Sequence, residues 1–510
     1  MRKLFAVFSN ITNKQAIIII LMIACFHAIN SLIILSHNQF YSYLNEDVTS
    51  IIDMSTSFVH EYNISNQILN KISFAEIVHT IVSYWKPPAY FIFSLPFIIL
   101  IHNINLFIVI LNLFISITTL LSVYGICKKL MSIQTGLLAS FMLSFYPLFF
   151  VMHRTFFIET FLMATISLVI YLILFDKFNS FYFNICFLFV VAIGMLTKEQ
   201  FFMYIPIFLL FFVKKENYKE LTKNIFFFID FILAIILSYI VWYFDNAKNI
   251  FLHLYKYSTE VINSDLLFYL KSLYYFDITP IIVILSIISV LYFVFRKKYY
   301  TIILSIVFIV LLFSLSGNKV SRHIFPVIMF FSILSSLFIF EIKNIYIRRI
   351  FIFLICILMI IQFVLINYSS FQNFKSGNFY GYNSFRGITY YDYQSNLETY
   401  KSQYIEFNQL LGEKFELNTV FVQIFPPIAY NFLILQKDRN GNLCQVKTYD
   451  DIKKIKIDIG SYENIIISSR DKNVFETFND WLLQNTNFKQ IRTLNMYNHD
   501  NAKIYLYQSK

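Results

Sequence analysis

Long runs of apolar residues, separated by short polar loops, fill the chain up to about residue 368. Runs able to cross the roughly 30 Å hydrocarbon core of a membrane as helices lie at about 16–36, 103–127, 136–152, 157–175, 180–196, 200–213, 224–243, 279–295, 301–316, 323–340 and 349–368. A further run, Pro88–Ile101, is shorter and is compatible with a short span or with an interfacial helix. The pattern predicts an α-helical polytopic membrane protein with about eleven spanning helices.

The distribution of Lys and Arg decides between the two readings of Pro88–Ile101. If this run lies on the membrane surface, one side receives 16 Lys and Arg in its loops and the other only 9 before residue 369. Cytoplasmic loops carry such an excess. We therefore expect a cytoplasmic N-terminus, a long first outer loop at 37–102 with interfacial helices, and an extracytoplasmic C-terminus. The first span has no small-residue cleavage site and should stay in the mature protein.

Composition supports the membrane assignment and argues against a nucleic-acid-binding protein and against a disulfide or metal framework. Hydrophobic residues make up 58% of the chain, charged residues 14%, and the mean hydropathy is +0.62. The net charge of +11 follows from the basic inner loops, so it does not indicate nucleic-acid binding. The five cysteines show no disulfide or metal spacing.

Residues 369–510 differ from the rest because basic and acidic side chains are nearly balanced there. Strands are predicted at Thr419–Ile424, Asn464–Ser469 and Ile504–Gln508, and helices at Leu397–Phe415 and Val474–Gln484. We therefore predict two domains, a transmembrane catalytic domain at 1–368 and a small soluble α/β domain at 369–510.

The ionisable residues that suggest chemistry fall at the outer ends of the predicted spans: Glu46, Asp47, Lys86, Arg154, Glu159, Lys198 and Arg322. A carboxylate of the adjacent pair Glu46 and Asp47 can act as a general base or help to bind a divalent cation, with Glu159 as a further ligand. A lysine at headgroup depth, such as Lys86 beside the interfacial aromatic Tyr84, suits a lipid-linked phosphate. These residues predict a site for a substrate that lies partly in lipid and partly in water.

The motifs around these residues resemble the GT-C superfamily of polyprenyl-phosphate-sugar-dependent glycosyltransferases, in the branch of protein O-mannosyltransferases and the lipid A aminoarabinose transferase. In chain order they are Glu46-Asp47, Lys86-Pro87-Pro88, His153-Arg154-Thr155 with Glu159, Gly194 to Lys198, and Lys319 to Pro326 with Arg322. The chain departs from the family pattern in three places. Asn45-Glu46-Asp47 stands where Asp-Glu is usual, Glu159 replaces the more frequent Asp, and His323 replaces a Tyr.

The resemblance implies a polyprenyl-phosphate sugar as donor and a hydroxyl on a glycan, lipid or protein as acceptor. Lys86, Arg154, Lys198 and Arg322 would face the donor phosphate, supported by Glu159, His323 and Tyr84. Glu46 or Asp47 would take the acceptor proton, and the sugar would transfer with inversion at the outer face of a bacterial inner membrane. No cofactor is required, although a divalent cation remains compatible with the carboxylates.

A transporter or flippase for a lipid-linked saccharide is the alternative from another functional class. Such a protein is expected to carry charges near the bilayer midplane and interrupted helices. Within the predicted spans only Asp230, with Asn112 and Asn184, is of this kind, and Asp230 lies about two turns from the inner end, so the pattern favours the enzyme.

Overall fold

The computed structural model describes residues 11–38, 87–101, 103–154, 156–178, 180–215, 221–244, 265–278, 280–315 and 321–368 of the helical part. In the tail it describes 419–423, 445–448, 464–469, 476, 479–480, 482–484, 487–495 and 503–509. The chain divides into two compact units, one of which contains nearly all of the helices and the other the strands.

Every predicted span is mostly helical in the structure. The α-helices are α1 (Asn13–Asn38), α2 (Ala89–Leu100), α3 (Ile104–Leu130), α4 (Ile133–Ser144), α5 (Pro147–Met152), α6 (Ile158–Phe175), α7 (Phe181–Met195), α8 (Ile205–Lys215), α9 (Leu221–Ser238), α10 (Phe268–Ser272), α11 (Pro280–Phe295), α12 (Tyr300–Ser314), α13 (Ile328–Glu341) and α14 (Ile345–Tyr368). Short 3₁₀ helices, Glu199–Tyr204 and Ser321–Val327, precede α8 and α13, and π-helical turns follow α9 and α10 at Tyr239–Tyr243 and Leu273–Asp277.

Among the described residues, six helical stretches are long and apolar enough to cross a membrane, and five shorter apolar helices accompany them. Together these eleven stretches correspond to the eleven predicted spans. The helical membrane-protein class predicted from the sequence is confirmed.

Pro147 and Pro88 determine where two of the helices begin. The predicted span 136–152 is broken into α4 and α5 because Pro147, at the first turn of α5, lacks the backbone N–H that would continue α4. The run Pro88–Ile101 forms α2, which begins directly after Pro88. Its 12 residues extend about 18 Å as a helix, too short to cross the hydrocarbon core, and its interfacial position stays a prediction.

The spans differ in how deeply they lie within the protein. Of the apolar windows of α6 and of the 3₁₀–α13 stretch, 78% and 83% are buried, compared with 33% for α1 and 28% for α14. Helices α6 and α13 therefore form the centre of the helical unit, while α1 and α14 present large apolar side chains on their outer faces. Glu159 and Arg322 lie at the beginnings of the two central stretches.

The tail contains a mixed five-stranded sheet of β1 (Thr419–Gln423), β2 (Gln445–Thr448), β3 (Asn464–Ser469), β4 (Phe488–Asn495) and β5 (Lys503–Ser509) in the order β2-β1-β3-β5-β4. Strand β1 pairs in parallel with β2 and β3, and β5 pairs antiparallel with β3 and β4. The three predicted strands are confirmed, and β2 and β4 were not predicted. The described residues within Val474–Gln484 are helical, whereas Leu397–Phe415 lies outside the described residues.

Candidate active site

Glu159 is the anchor of a charged cluster at the start of α6. Phe157 is in an extended conformation directly before the helix, so Glu159 lies in the first turn, where the exposed backbone N–H groups favour a negative charge. The residue is only 4% exposed. A carboxylate buried to this degree requires nearby positive charge or hydrogen-bond donors to remain ionised.

Lys198 supplies the first positive charge, from the turn that follows α7. A Cβ at Gly194 would collide with the Phe201 ring, so a glycine lets this ring pack against the end of α7 and close the turn. Within the turn Thr197 Oγ1 donates to the Ile193 carbonyl at 2.7 Å. Lys198 Nζ then donates to Glu159 Oε1 at 2.7 Å.

Arg322 supplies the second positive charge, from the 3₁₀ helix before α13. Its Nε lies 3.6 Å from the same Glu159 oxygen, and its guanidinium lies 5.3 Å above the centre of the Phe157 ring. The ring face attracts the cation and sets the orientation of the side chain. Its side chain is 33% exposed, compared with 19% for Lys198.

The start of α2 packs against the turn that follows α7 and against the beginning of α6. The backbone N–H of Ala89 donates to the Leu196 carbonyl at 2.9 Å, and the Tyr90 ring contacts the Phe156 and Phe161 rings with centroid distances of 4.7 and 5.8 Å. Three separate motifs of the sequence, at the beginnings of α2 and α6 and after α7, are therefore packed together, and the Arg322 turn joins them through Glu159.

The chemistry of the cluster follows from its charges. Two cations surround one buried carboxylate, which leaves a net positive charge on side chains that are partly exposed. Arg and Lys side chains in such a setting bind phosphate through charge-assisted hydrogen bonds. Glu159 holds the two cations at a common point, and the arrangement is suited to an anionic substrate group.

Arg154 lies in a different environment from the other predicted cations. It is completely buried, and its Nε donates to Ser31 Oγ of α1 at 3.4 Å while Nη1 donates to the Asn367 side chain of α14. The guanidinium lies 5.1 Å above the Phe150 ring. Burial lowers the pKa of Arg154 to about 9, so the side chain carries its charge at neutral pH. The predicted contact with a donor phosphate stays a prediction, since these contacts tie Arg154 to the first and last spanning helices.

A further hydrogen bond joins α1 and α14: Tyr368 OH donates to the Asn30 side chain. Ser31 Oγ and Asn367 Nδ2 donate within their own helices, to the His27 and Phe363 carbonyls at 2.7 Å. Sequence reasoning missed this network. Polar residues near the C-terminal ends of the first and last spans were the available signal, because such residues inside a membrane usually pair with one another.

The remaining predicted residues divide into two groups. His323 is described, and its ring stacks on Phe313 at a centroid distance of 6.1 Å. Glu46, Asp47, Tyr84 and Lys86 lie outside the described residues, so their roles stay predictions. Among the residues that the structure describes, no three His, Cys, Asp or Glu side chains are grouped as metal ligands would be.

Comparison with known proteins relates this arrangement to characterised families. Residues 85–244, which include α2, Glu159 and Lys198, match the model of the family described as dolichyl-phosphate-mannose-protein mannosyltransferase. No curated protein sequence matches the chain.

Solved structures share the fold over most of the chain. ArnT from Cupriavidus metallidurans bound to undecaprenyl phosphate superposes with a TM-score of 0.56 at 9% sequence identity, covering 94% of this chain and 97% of that protein. The apo state of the same ArnT gives a TM-score of 0.53 at 11% identity, covering 88% and 92%. At sequence identities this low, the comparison with solved structures supports the fold alone. Together with the family match, they confirm the predicted resemblance to the GT-C superfamily.

Proposed function

We propose that the protein is an integral membrane glycosyltransferase that moves a sugar from a polyprenyl-phosphate carrier to a hydroxyl acceptor. The observation that carries the proposal is the convergence of Lys198 and Arg322 on the buried carboxylate of Glu159. The mannosyltransferase family match over residues 85–244 and the fold shared with an ArnT that binds undecaprenyl phosphate support it.

In the proposed reaction, Lys198 and Arg322 hold the donor phosphate, with Lys86 as a further cation. The acceptor oxygen attacks the anomeric carbon, the bond between this carbon and the phosphate oxygen breaks, and the phosphate leaves with the electron pair. Positive charge fixed beside the leaving phosphate stabilises the charge that develops in the transition state. We assign Arg154 to the support of the site, since its guanidinium already contacts α1 and α14.

The acceptor proton goes to Glu46 or Asp47, and attack from the face opposite the phosphate inverts the anomeric configuration. Phosphate is a good leaving group, so a second carboxylate acting as general acid, as in glycoside hydrolysis, is not needed. The mechanism operates without a cofactor, at the outer face of a bacterial inner membrane. The acceptor is a glycan, lipid or protein hydroxyl.

The test is glycosyl transfer by the purified protein from a panel of radiolabelled undecaprenyl-phosphate sugars to a mixture of hydroxyl acceptors. The wild type is compared with the Glu46→Gln, Asp47→Asn double variant, because loss of a general base costs about 100- to 10,000-fold in rate. Reactions with and without EDTA decide whether a divalent cation takes part. Transfer that persists unchanged in the double variant would remove the base assignment. No turnover of any donor by the wild type would instead favour transport of the lipid-linked saccharide.

A further inference from the structure

His153 precedes Arg154 in the turn between α5 and α6, and it has no role in the proposed mechanism. Its ring packs against Phe149 with a centroid distance of 4.0 Å and against Phe325 at 6.0 Å. Nδ1 lies 2.8 Å from the Phe149 carbonyl oxygen. A carbonyl oxygen can only accept, so Nδ1 carries the ring proton.

The other nitrogen, Nε2, is then a lone-pair acceptor. His153 is 7% exposed, and Nε2 is buried without a hydrogen-bond partner in the part of the chain that the structure describes. Buried polar atoms are nearly always hydrogen-bonded, and an exception calls for an explanation. Burial also lowers the pKa of His153 to about 4, so the ring is neutral at physiological pH and Nε2 retains its lone pair.

The chemistry of a neutral acceptor limits what can bind to it. A phosphodiester or a carboxylate at neutral pH offers acceptors only and cannot pair with Nε2, whereas a sugar hydroxyl or amine can donate. Phe325, against which the ring packs, is three residues beyond Arg322 in the same 3₁₀ helix. Phe157, four residues after His153, lies beneath the Arg322 guanidinium. The His153 ring therefore packs against the 3₁₀ helix that carries Arg322.

We propose that His153 Nε2 accepts a hydrogen bond from a hydroxyl or amino group of the transferred sugar and so determines which sugar is used. The sugar is bonded directly to the phosphate, which places its donor groups within a few bonds of Lys198 and Arg322. The inference rests on the proposed function and makes His153 a specificity residue of that site.

His27 provides a matched control. Both of its ring nitrogens are also buried without partners among the described residues, but the ring lies within α1, edge-on to Phe145 and Phe363 with interplanar angles of 69° and 82°. An imidazole N–H in this position can point at an aromatic face. Within the described part of the chain, the His27 ring packs against Phe145 and Phe363, and not against the 3₁₀ helix that carries Arg322, so replacement of this ring should not alter sugar selectivity.

The experiment measures kcat/KM for the preferred undecaprenyl-phosphate sugar and for analogues of it that each lack one hydroxyl or amino group. These values are obtained for the wild type, His153→Phe and His27→Phe, together with the affinity of each protein for sugar-free undecaprenyl phosphate. His153→Phe should lower kcat/KM for the preferred sugar about tenfold. It should also erase the discrimination against one particular analogue while leaving the affinity for undecaprenyl phosphate unchanged. His27→Phe should discriminate as the wild type does.

The outcomes separate the two proposals. If the wild type does not bind undecaprenyl phosphate, the proposed function fails. If it binds and transfers sugar, but His153→Phe discriminates between the sugar and every analogue as well as the wild type, the assignment of His153 is overturned and Nε2 has only a structural role. Should His153→Phe be unstable, His153→Gln, which retains a side-chain acceptor, should preserve the discrimination, and its failure to do so would also contradict the proposal.

Discussion

Arg154 and Arg322 carry the same charge, and the sequence predicts that both face the donor phosphate, yet the fold places them in different settings. Arg154 is fully buried against the side-chain oxygens of Ser31 and Asn367. Arg322 is one-third exposed beside the Glu159 carboxylate. A buried guanidinium holding two helices together contributes to stability, whereas a partly exposed one can take up a second anion. On this difference in environment we base the proposal that Arg322 binds the donor phosphate while Arg154 supports the site.

The largest effect on stability is expected from Arg154→Met. The substitution leaves the Asn367 acceptor buried without its donor and removes the bond to Ser31, which should lower the free energy of unfolding by about 3 kcal/mol. Arg322→Met should cost less than about 1 kcal/mol, because its contact is partly exposed. Thermal unfolding in detergent measures both changes.

One control accompanies this comparison. Tyr368→Phe removes the neighbouring bond to Asn30 between the same helices and should cost about 1 kcal/mol. Equal unfolding temperatures for wild type and Arg154→Met would contradict the assignment of Arg154 to the tie between α1 and α14.

A smaller effect is expected when the carboxylate of the cluster is neutralised. Glu159→Gln keeps the shape of the side chain but leaves Lys198 and Arg322 without a negative partner, and we expect a loss of about 2 kcal/mol. The matched control is Glu341→Gln, because Lys298 Nζ pairs with Glu341 Oε1 at 2.8 Å, nearly the 2.7 Å of Lys198 and Glu159. The Lys298 side chain is 51% exposed, so this pair should contribute under about 1 kcal/mol. Equal losses in the two variants would show that burial of Glu159 has no energetic consequence.

The sequence predicted the helical class and the approximate bounds of the spans because apolar length is a strong signal in membrane proteins. It also named Glu159, Lys198 and Arg322, which the structure brings together. What it could not predict was pairing between side chains 39 residues apart, as for Lys198 and Glu159, or 213 apart, as for Arg154 and Asn367. A cation at the end of a span has the same local pattern whether its partner is a carboxylate, an amide or a ligand.

The most direct test of the proposed phosphate site is the affinity of the purified protein for undecaprenyl phosphate. The Lys198→Met, Arg322→Met double variant is compared with Arg296→Met, Lys298→Met. The control removes two cations between α11 and α12, one of which, Lys298, pairs with Glu341 at the C-terminal end of α13. Since a hydrogen bond to a charged group is worth about 1.5–3 kcal/mol, the first variant should bind at least about 100-fold more weakly than the wild type. The control should bind within about twofold of it. Equal affinities for wild type and the first double variant would contradict the account.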